Sequence, residues 1–285
     1  GRHKTVSMWG SFHGGTLDTI SLGGQSDFRV GMGPLMTGTE HVPPVEPARC
    51  PWKCGVICDL SCAEYVEYVL DREGDVAAVV SETVRNTPHF PPREYWQIVR
   101  AACDRHGALL ILDEIPTGLG RTGTMFAFEH YGIVPDIAVL GKGLGGGVFP
   151  LAAVIAREHL NIASDTSLGH FTHEKSPVGA SAALATLQVI EDEKLLQHAR
   201  DLGDYTLHQL RLLETRHQIV SDIRGRGLLL GVELRLPDGR PANEAAEMIM
   251  YACLRRNLSF KVSSGNVLTL IPPLITTRAQ MEDAL

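Results

Sequence analysis

Asp113 and Lys142 are the side chains of this sequence best placed to do chemistry together. Asp113-Glu114 closes the apolar run Ala108–Glu114 (ALLILDE), Gly141-Lys142 follows Asp136–Leu140 (DIAVL), and Glu82 ends Asp75–Glu82 (DVAAVVSE). Short valine- and leucine-rich runs of this kind read as buried strands. Ligands in open α/β sheets gather beyond the carboxyl ends of parallel strands. An acid and a lysine at neighbouring strand ends admit two readings. One is a structural ion pair, the other a pair of charges facing a ligand.

Four cysteines, Cys50, Cys54, Cys58 and Cys62, recur at every fourth position. Pro51 and Gly55 argue against a helix, so they are not one helical stripe. Four thiolates satisfy the tetrahedral preference of zinc, yet zinc-binding segments usually bring C-x2-C pairs and this spacing is x3. The expectation is therefore no bound metal, with reduced thiols in an irregular loop and zinc or a disulfide as the alternatives. Cys103 and Cys253 fall within helical patterns and read as small core residues.

Two glycine clusters match G-x-G-x-x-G: Gly118, Gly120, Gly123 and Gly141, Gly143, Gly146. That pattern binds a pyrophosphate only when a helix N-terminus follows at once. Val148-Phe149-Pro150 and a strand-like run follow the second cluster, and a short aromatic segment follows the first. A dinucleotide site is not expected. Lys142 precedes Gly143 rather than Ser or Thr, which excludes a P-loop as well.

The elements that must position these residues alternate. Strands are expected at Asp75–Glu82, Ala108–Glu114, Asp136–Leu140 and Leu151–Ala156, and near the start, where Gly1–Ser7 reads as a turn entering a strand. A helix over Arg93–His106 stops at Gly107. This order predicts an α/β fold, a mostly parallel sheet covered by helices on both faces. A long helix is expected from about Pro177 to His198 and a second to about Arg216. Beyond these, Ile223–Arg235 contains a strand, Glu244–Arg256 a helix and Asn266–Ile271 a strand, a smaller α+β domain. The expected division is a large domain over 1–190 and interdomain helices with the small domain over 191–285.

A net charge of −7 gives no basic footprint for nucleic acid or an anionic membrane. No apolar run reaches the roughly 18 residues of a membrane helix, and no signal peptide opens the chain. A cytoplasmic protein is expected.

The segment Asp113-Glu114-Ile115-Pro116-Thr117-Gly118-Leu119-Gly120-Arg121-Thr122-Gly123 resembles the D-E-V-Q-T-G-F-G-R-T-G signature of class-III aminotransferases, enzymes of the fold-type I pyridoxal-phosphate (PLP) group. Pro135-Asp136 and Gly141-Lys142-Gly143-Leu144-Gly145-Gly146-Gly147 follow at the family's distance. Ser11-Phe12-His13-Gly14-Gly15-Thr16, Arg224-Gly225-Arg226-Gly227-Leu228 and Pro272-Pro273-Leu274 also fit, so the resemblance spans essentially the whole chain.

This resemblance implies PLP as cofactor, Lys142 as the Schiff-base lysine and Asp113 as the partner of the ring nitrogen. Phe12 would stack on one ring face and Ile115 on the other, with His13 and Glu82 among the cofactor-binding residues. Thr172 matches the threonine that reaches the phosphate of the neighbouring subunit's cofactor, which implies a homodimer with shared active sites. The implied reaction takes a small-molecule primary amine and passes its amino group to a keto acid.

Departures from the pattern bear on the substrate. Pro116 stands where the family usually has a Gln that bonds the cofactor's phenolic oxygen. Thr269 stands where many members carry the Arg that grips an α-carboxylate, and Thr87 and Pro88 replace the glutamate that masks it. Cys62-Ala63-Glu64-Tyr65 and His173-Glu174-Lys175-Ser176-Pro177 resemble a subgroup similar to the (R)-1-hydroxy-2-aminoethylphosphonate ammonia-lyases. In that alternative Lys142 would take a proton from the amine-bearing carbon, the adjacent hydroxyl would leave, and the product would hydrolyse to aldehyde and ammonia. The family's N-terminal portion, with the helix start that cradles the phosphate, is expected before Gly1. A folded but inactive remnant is the third reading.

Overall fold

The valine run of the third strand is buried on both faces, as a central parallel strand must be: Val76, Ala78, Val79 and Val80 are all core residues. In the computed structural model, which describes residues 1–46, 50–54, 58–163, 165–166, 169 and 172–285, this strand lies inside a six-stranded sheet. Its strands are β1 (Lys4–Met8), β2 (Thr39–Val42), β3 (Val76–Glu82), β4 (Leu109–Asp113), β5 (Ile137–Leu140) and β6 (Ala153–Ala156), in the order β2-β1-β3-β4-β5-β6. All neighbours pair parallel except β6, which runs antiparallel to β5.

Between β1 and β2 lie the short helices α1 (Leu17–Leu22) and α2 (Ser26–Arg29). Helix α3 (Ser61–Glu73) leads into β3, and α4 (Arg93–His106) packs against it. Helix α4 buries Tyr95, Trp96, Val99, Ala102 and Cys103, the one-sided stripe that its sequence spacing predicts. Gly107 ends it in the left-handed conformation, φ 61°, which costs a residue without Cβ nothing. Asp136 fixes the start of β5. Its Oδ2 accepts from Arg100 Nη1 at 2.7 Å and from the Leu110 N–H at 2.8 Å, and Arg157 Nε stands 3.2 Å from Oδ1.

The chain groups into two units by internal contact. The first holds Gly1–Thr83, Pro91–Pro116 and Ala127–Leu184; the second holds Val84–Phe90, Thr117–Phe126 and Ala185–Leu285. The second unit contains an antiparallel sheet of β7 (Val220–Arg226), β8 (Leu229–Leu234), β9 (Lys261–Ser263) and β10 (Val267–Leu270), ordered β7-β8-β10-β9. Leu207 and Leu210 of α6 (Leu195–Glu214) and Ala246 of α7 (Asn243–Leu254) close its core over Ile223, Leu230, Val232 and Leu234. Helix α8 (Arg278–Ala284) follows β10.

Two expectations need correction. The long helix does not reach His198: α5 (Pro177–Asp192) stops, Lys194 turns left-handed at φ 53°, and α6 begins. Glu191, Asp192 and Glu193 crowd the negative end of α5 and disfavour its continuation. Ile223–Arg235 holds a hairpin of two strands rather than one, reversing at Gly227, φ 56°. A Cβ on Gly203 of α6 would stand 2.2 Å from the Gly227 carbonyl oxygen, so glycine is required at this crossing.

Candidate active site

Register places the carboxyl ends of three strands side by side. Glu82 of β3 pairs with Asp113 of β4, and Asp113 pairs with Val139 of β5. Lys142 comes three residues after Val139, at the start of the 3-10 turn Lys142–Gly145, exposed and at φ 45°. The acid and the amine singled out from sequence therefore sit beyond adjacent strand ends of one sheet edge.

Asp113 is 6% exposed and held from two sides. Its Oδ1 accepts from the Ile115 N–H at 3.0 Å, and His13 Nδ1 donates to Oδ2 at 2.9 Å. A carboxylate only accepts, so Nδ1 carries the hydrogen. The His13 side chain is 4% exposed, and its Nε2 is buried with no partner. The loop that delivers His13 is pinned by Ser11, itself 1% exposed. Ser11 Oγ donates to the Met8 carbonyl at 2.8 Å, and the N–H groups of Gly24 and Gln25 donate to the Ser11 carbonyl.

Ile115 lies against the turn that carries the lysine: a Cβ on Gly141 would meet Ile115 Cγ2 at 3.4 Å. Phe12 is 41% exposed and leans on Phe28, ring centroids 4.7 Å apart. Glu82 is half-buried at the end of β3. Thr172 lies in an exposed turn ahead of α5, while the preceding Phe171 is outside the described residues.

Sequence reasoning assigned no role to Glu114 or Arg121. Glu114 is 1% exposed and accepts from Thr83 Oγ1 at 2.7 Å and from the Ala127 and Phe128 N–H groups at 3.0 Å each. It locks the 3-10 turn Ala127–Tyr131 to β3 and β4. In the second unit, Arg121 Nη1 donates to the Leu228 and Pro272 carbonyls, and the Leu228 N–H donates back to the Arg121 carbonyl at 2.9 Å. Burial pulls the Arg121 guanidinium down to about 10, which leaves it a cation at neutral pH. Neither residue shows a periodicity or ligand-like spacing that sequence alone could have exposed.

The family model for class-III aminotransferases matches residues 1–285. The chain belongs to the class-III aminotransferase family. It is 45% identical over 301 residues to an (R)-1-hydroxy-2-aminoethylphosphonate ammonia-lyase of Vibrio splendidus, covering 99% of this chain and 63% of that protein. It is 35% identical to an acetylornithine aminotransferase of Caldanaerobacter subterraneus, covering 100% of this chain and 66% of the relative. Among solved structures, an amine transaminase from an uncultivated Pseudomonas species, in its PLP-bound form, superposes with a TM-score of 0.89 at 29% identity. That match covers 100% of this chain and 68% of the other. The fold is thus type I, as the resemblance to class-III aminotransferases implied. The chain spans about two thirds of the length of the curated relatives it matches.

The class-III motifs divide by task. Asp113–Pro116, Gly141–Gly147 and Ser11–Thr16 surround the strand ends in the first unit, whereas Arg121, Arg224–Leu228 and Pro272–Leu274 build the second. Arg224 shows this structural duty. Its Nη1 stands 2.8 Å from Glu233 Oε2, and its Nε donates to the Pro88 carbonyl.

Proposed function

We propose that the whole protein is a PLP-dependent enzyme that acts on a primary amine through a Lys142 Schiff base and passes the amino group to a keto acid. What carries this reading is the pairing of a buried, doubly anchored carboxylate, Asp113, with an exposed lysine beyond the next strand end. These residues fit the cofactor. Asp113 is an anion at the sheet edge where a cationic ring nitrogen would be held, and His13 keeps a buried Nε2 unpartnered beside it. When bound, PLP supplies an electron sink for the carbon that bears the amine.

The chain's own groups do the rest. Asp113 holds a proton on the ring nitrogen, since an adjacent anion favours the cationic form. His13 and the Ile115 N–H keep that carboxylate in one orientation. Phe12 and Ile115 offer apolar faces, Glu82 shares the sheet edge, and the Lys142 amine carries the proton to and from the substrate carbon. A homodimer with shared sites belongs to this reading, with Thr172 reaching the neighbouring subunit's cofactor. It is supported by the exposed turn at Thr172 and by Val178 and Leu184, 63% and 68% exposed on the helix that follows. A cytoplasmic location is also proposed. No helix among the described residues is long and apolar enough to cross a membrane.

A second reading, ammonia release from a hydroxyaminoethylphosphonate-like amine, is favoured by the 45% relative and by Thr269. Thr269 is 1% exposed, and its hydroxyl donates to Ser263 Oγ at 2.9 Å. A side chain so committed grips no α-carboxylate. Both readings meet one assay on the full-length protein: supply amine without keto acid and follow ammonia. Ammonia over many turnovers selects the lyase, and a single half-turnover selects the transaminase. The visible absorbance of the cofactor-bound protein is expected to disappear in Lys142→Ala. An unchanged spectrum in that variant refutes the Schiff-base assignment.

A further inference from the structure

Cys50, Cys54 and Cys58 lie in an irregular stretch ahead of α3 and Cys62 in its first turn, and no role above uses them. Three of the thiols gather although the segment has no regular structure between Cys50 and Leu60 among its described residues. The sulfurs of Cys50 and Cys54 are 3.3 Å apart. The ligand atoms of Cys54, Cys58 and Asp59 all lie within 4.8 Å of one another. Cys62 follows Cys58 by four residues and stands in the first turn of α3. We propose that these four cysteines form a structural zinc site that fixes the entry to α3.

Zinc–thiolate bonds of about 2.3 Å place tetrahedral sulfurs about 3.7 Å apart, and the Cys50–Cys54 separation needs only a few tenths of an ångström to reach that value. It is far beyond the roughly 2 Å of a disulfide, so the sulfurs are gathered without being bonded. Asp59 is the competing ligand, but its Oδ1 already accepts from the Ser61 N–H at 3.0 Å at the start of α3. Cys62 is the soft ligand that remains, in the first turn of the helix. The x3 spacing argued against zinc when judged as a linear motif. Among the described residues of the segment, Lys53 (φ 54°) and Leu60 (φ 64°) have left-handed backbone, so its turns are not those that linear spacing assumes.

The surroundings support a metal staple. Trp52 is 38% exposed and meets Tyr65 at 5.5 Å between centroids, too little burial to order the segment. The N-cap residue of α3, Leu60, offers no side-chain acceptor of its own, and the site would set negative charge at the positive end of that helix. Binding converts four S–H groups and Zn²⁺ into one Zn(S)₄ centre of charge −2, with four protons released and no electron transferred.

The test is metal analysis and native mass spectrometry of the full-length protein purified under reducing conditions without chelator. About one zinc per chain is expected, falling to background in Cys54→Ser and Cys58→Ser and unchanged in Cys253→Ala, whose thiol lies on α7. Should the serine variants fail to fold, the wild-type protein still decides. Mercurial titration should release zinc in step with the reaction of four thiols. A wild-type protein that stays metal-free when offered zinc overturns the proposal. So does a mass showing these cysteines oxidised in pairs, or zinc that persists in Cys58→Ser.

Discussion

Replacing Glu114 by alanine removes the acceptor for two buried donors and a half-buried one at once. Its Oε1 takes the Thr83 hydroxyl at 2.7 Å and the Phe128 N–H at 3.0 Å, and Oε2 takes the Ala127 N–H at 3.0 Å. A buried donor left unpaired costs about 1–3 kcal/mol. Three sum to roughly 3–9 kcal/mol, but they share one carboxylate and are not additive. We expect about 3–5 kcal/mol, a large share of a total stability on the order of 5–15 kcal/mol. Glu114→Gln should cost less, about 1–2 kcal/mol, because an amide oxygen at the Oε1 position keeps Thr83 and Phe128 and forfeits only Ala127. Tryptophan fluorescence in a denaturant titration of the full-length protein is a suitable readout, since Trp96 Nε1 donates to the Thr83 carbonyl at 3.0 Å. Should both variants unfold within about 0.5 kcal/mol of wild type, or should Gln prove worse than Ala, the latch does not exist as drawn.

Asp113→Asn keeps the shape but removes the anion beside the ring nitrogen. Amine turnover should fall roughly 100-fold or more, with the far-ultraviolet dichroism unchanged; near-normal kcat would refute its role. Asp136→Asn should lower the denaturation midpoint by the equivalent of about 3–5 kcal/mol, as breaking a buried pair does. The sign with pH follows. Burial raises the Asp136 carboxyl, but the Leu110 N–H and Arg100 outweigh it and hold it below its usual range. Its contribution is therefore present above about pH 4, the unfolded value, and fades as pH falls through the lower folded value. The wild type should lose stability across that acid window, and the Asn variant should lose less. Arg121→Ala should lower the melting temperature by stranding the Leu228 and Pro272 carbonyls, and an unchanged melt would remove Arg121 as the tie between them.

The sheet was legible because burial on both faces writes itself as unbroken valine and leucine, as in β3 and β4, and because α4 carries its stripe up to Gly107. Strands β2 and β9 were not, since Thr39–Val42 and Lys261–Ser263 are too short and too polar to carry a period. The hairpin at Gly227 was merged into one strand because Leu228 to Leu230 continue the apolar run through the reversal. For the candidate site, the positions of Asp113 and Lys142 followed from their strands. The His13 contact joins residues 100 apart in sequence, and only the fold could supply it.

The second unit is assembled from pieces that leave the ribosome far apart in time. Thr117–Phe126 emerges early, yet the carbonyls that Arg121 binds, those of Leu228 and Pro272, come more than 100 residues later. Until then a buried cation has nothing to hold. A fragment cut at Ala185 would lack both early segments, so domain exchange between relatives must carry residues 84–90 and 117–126 along with the C-terminal block.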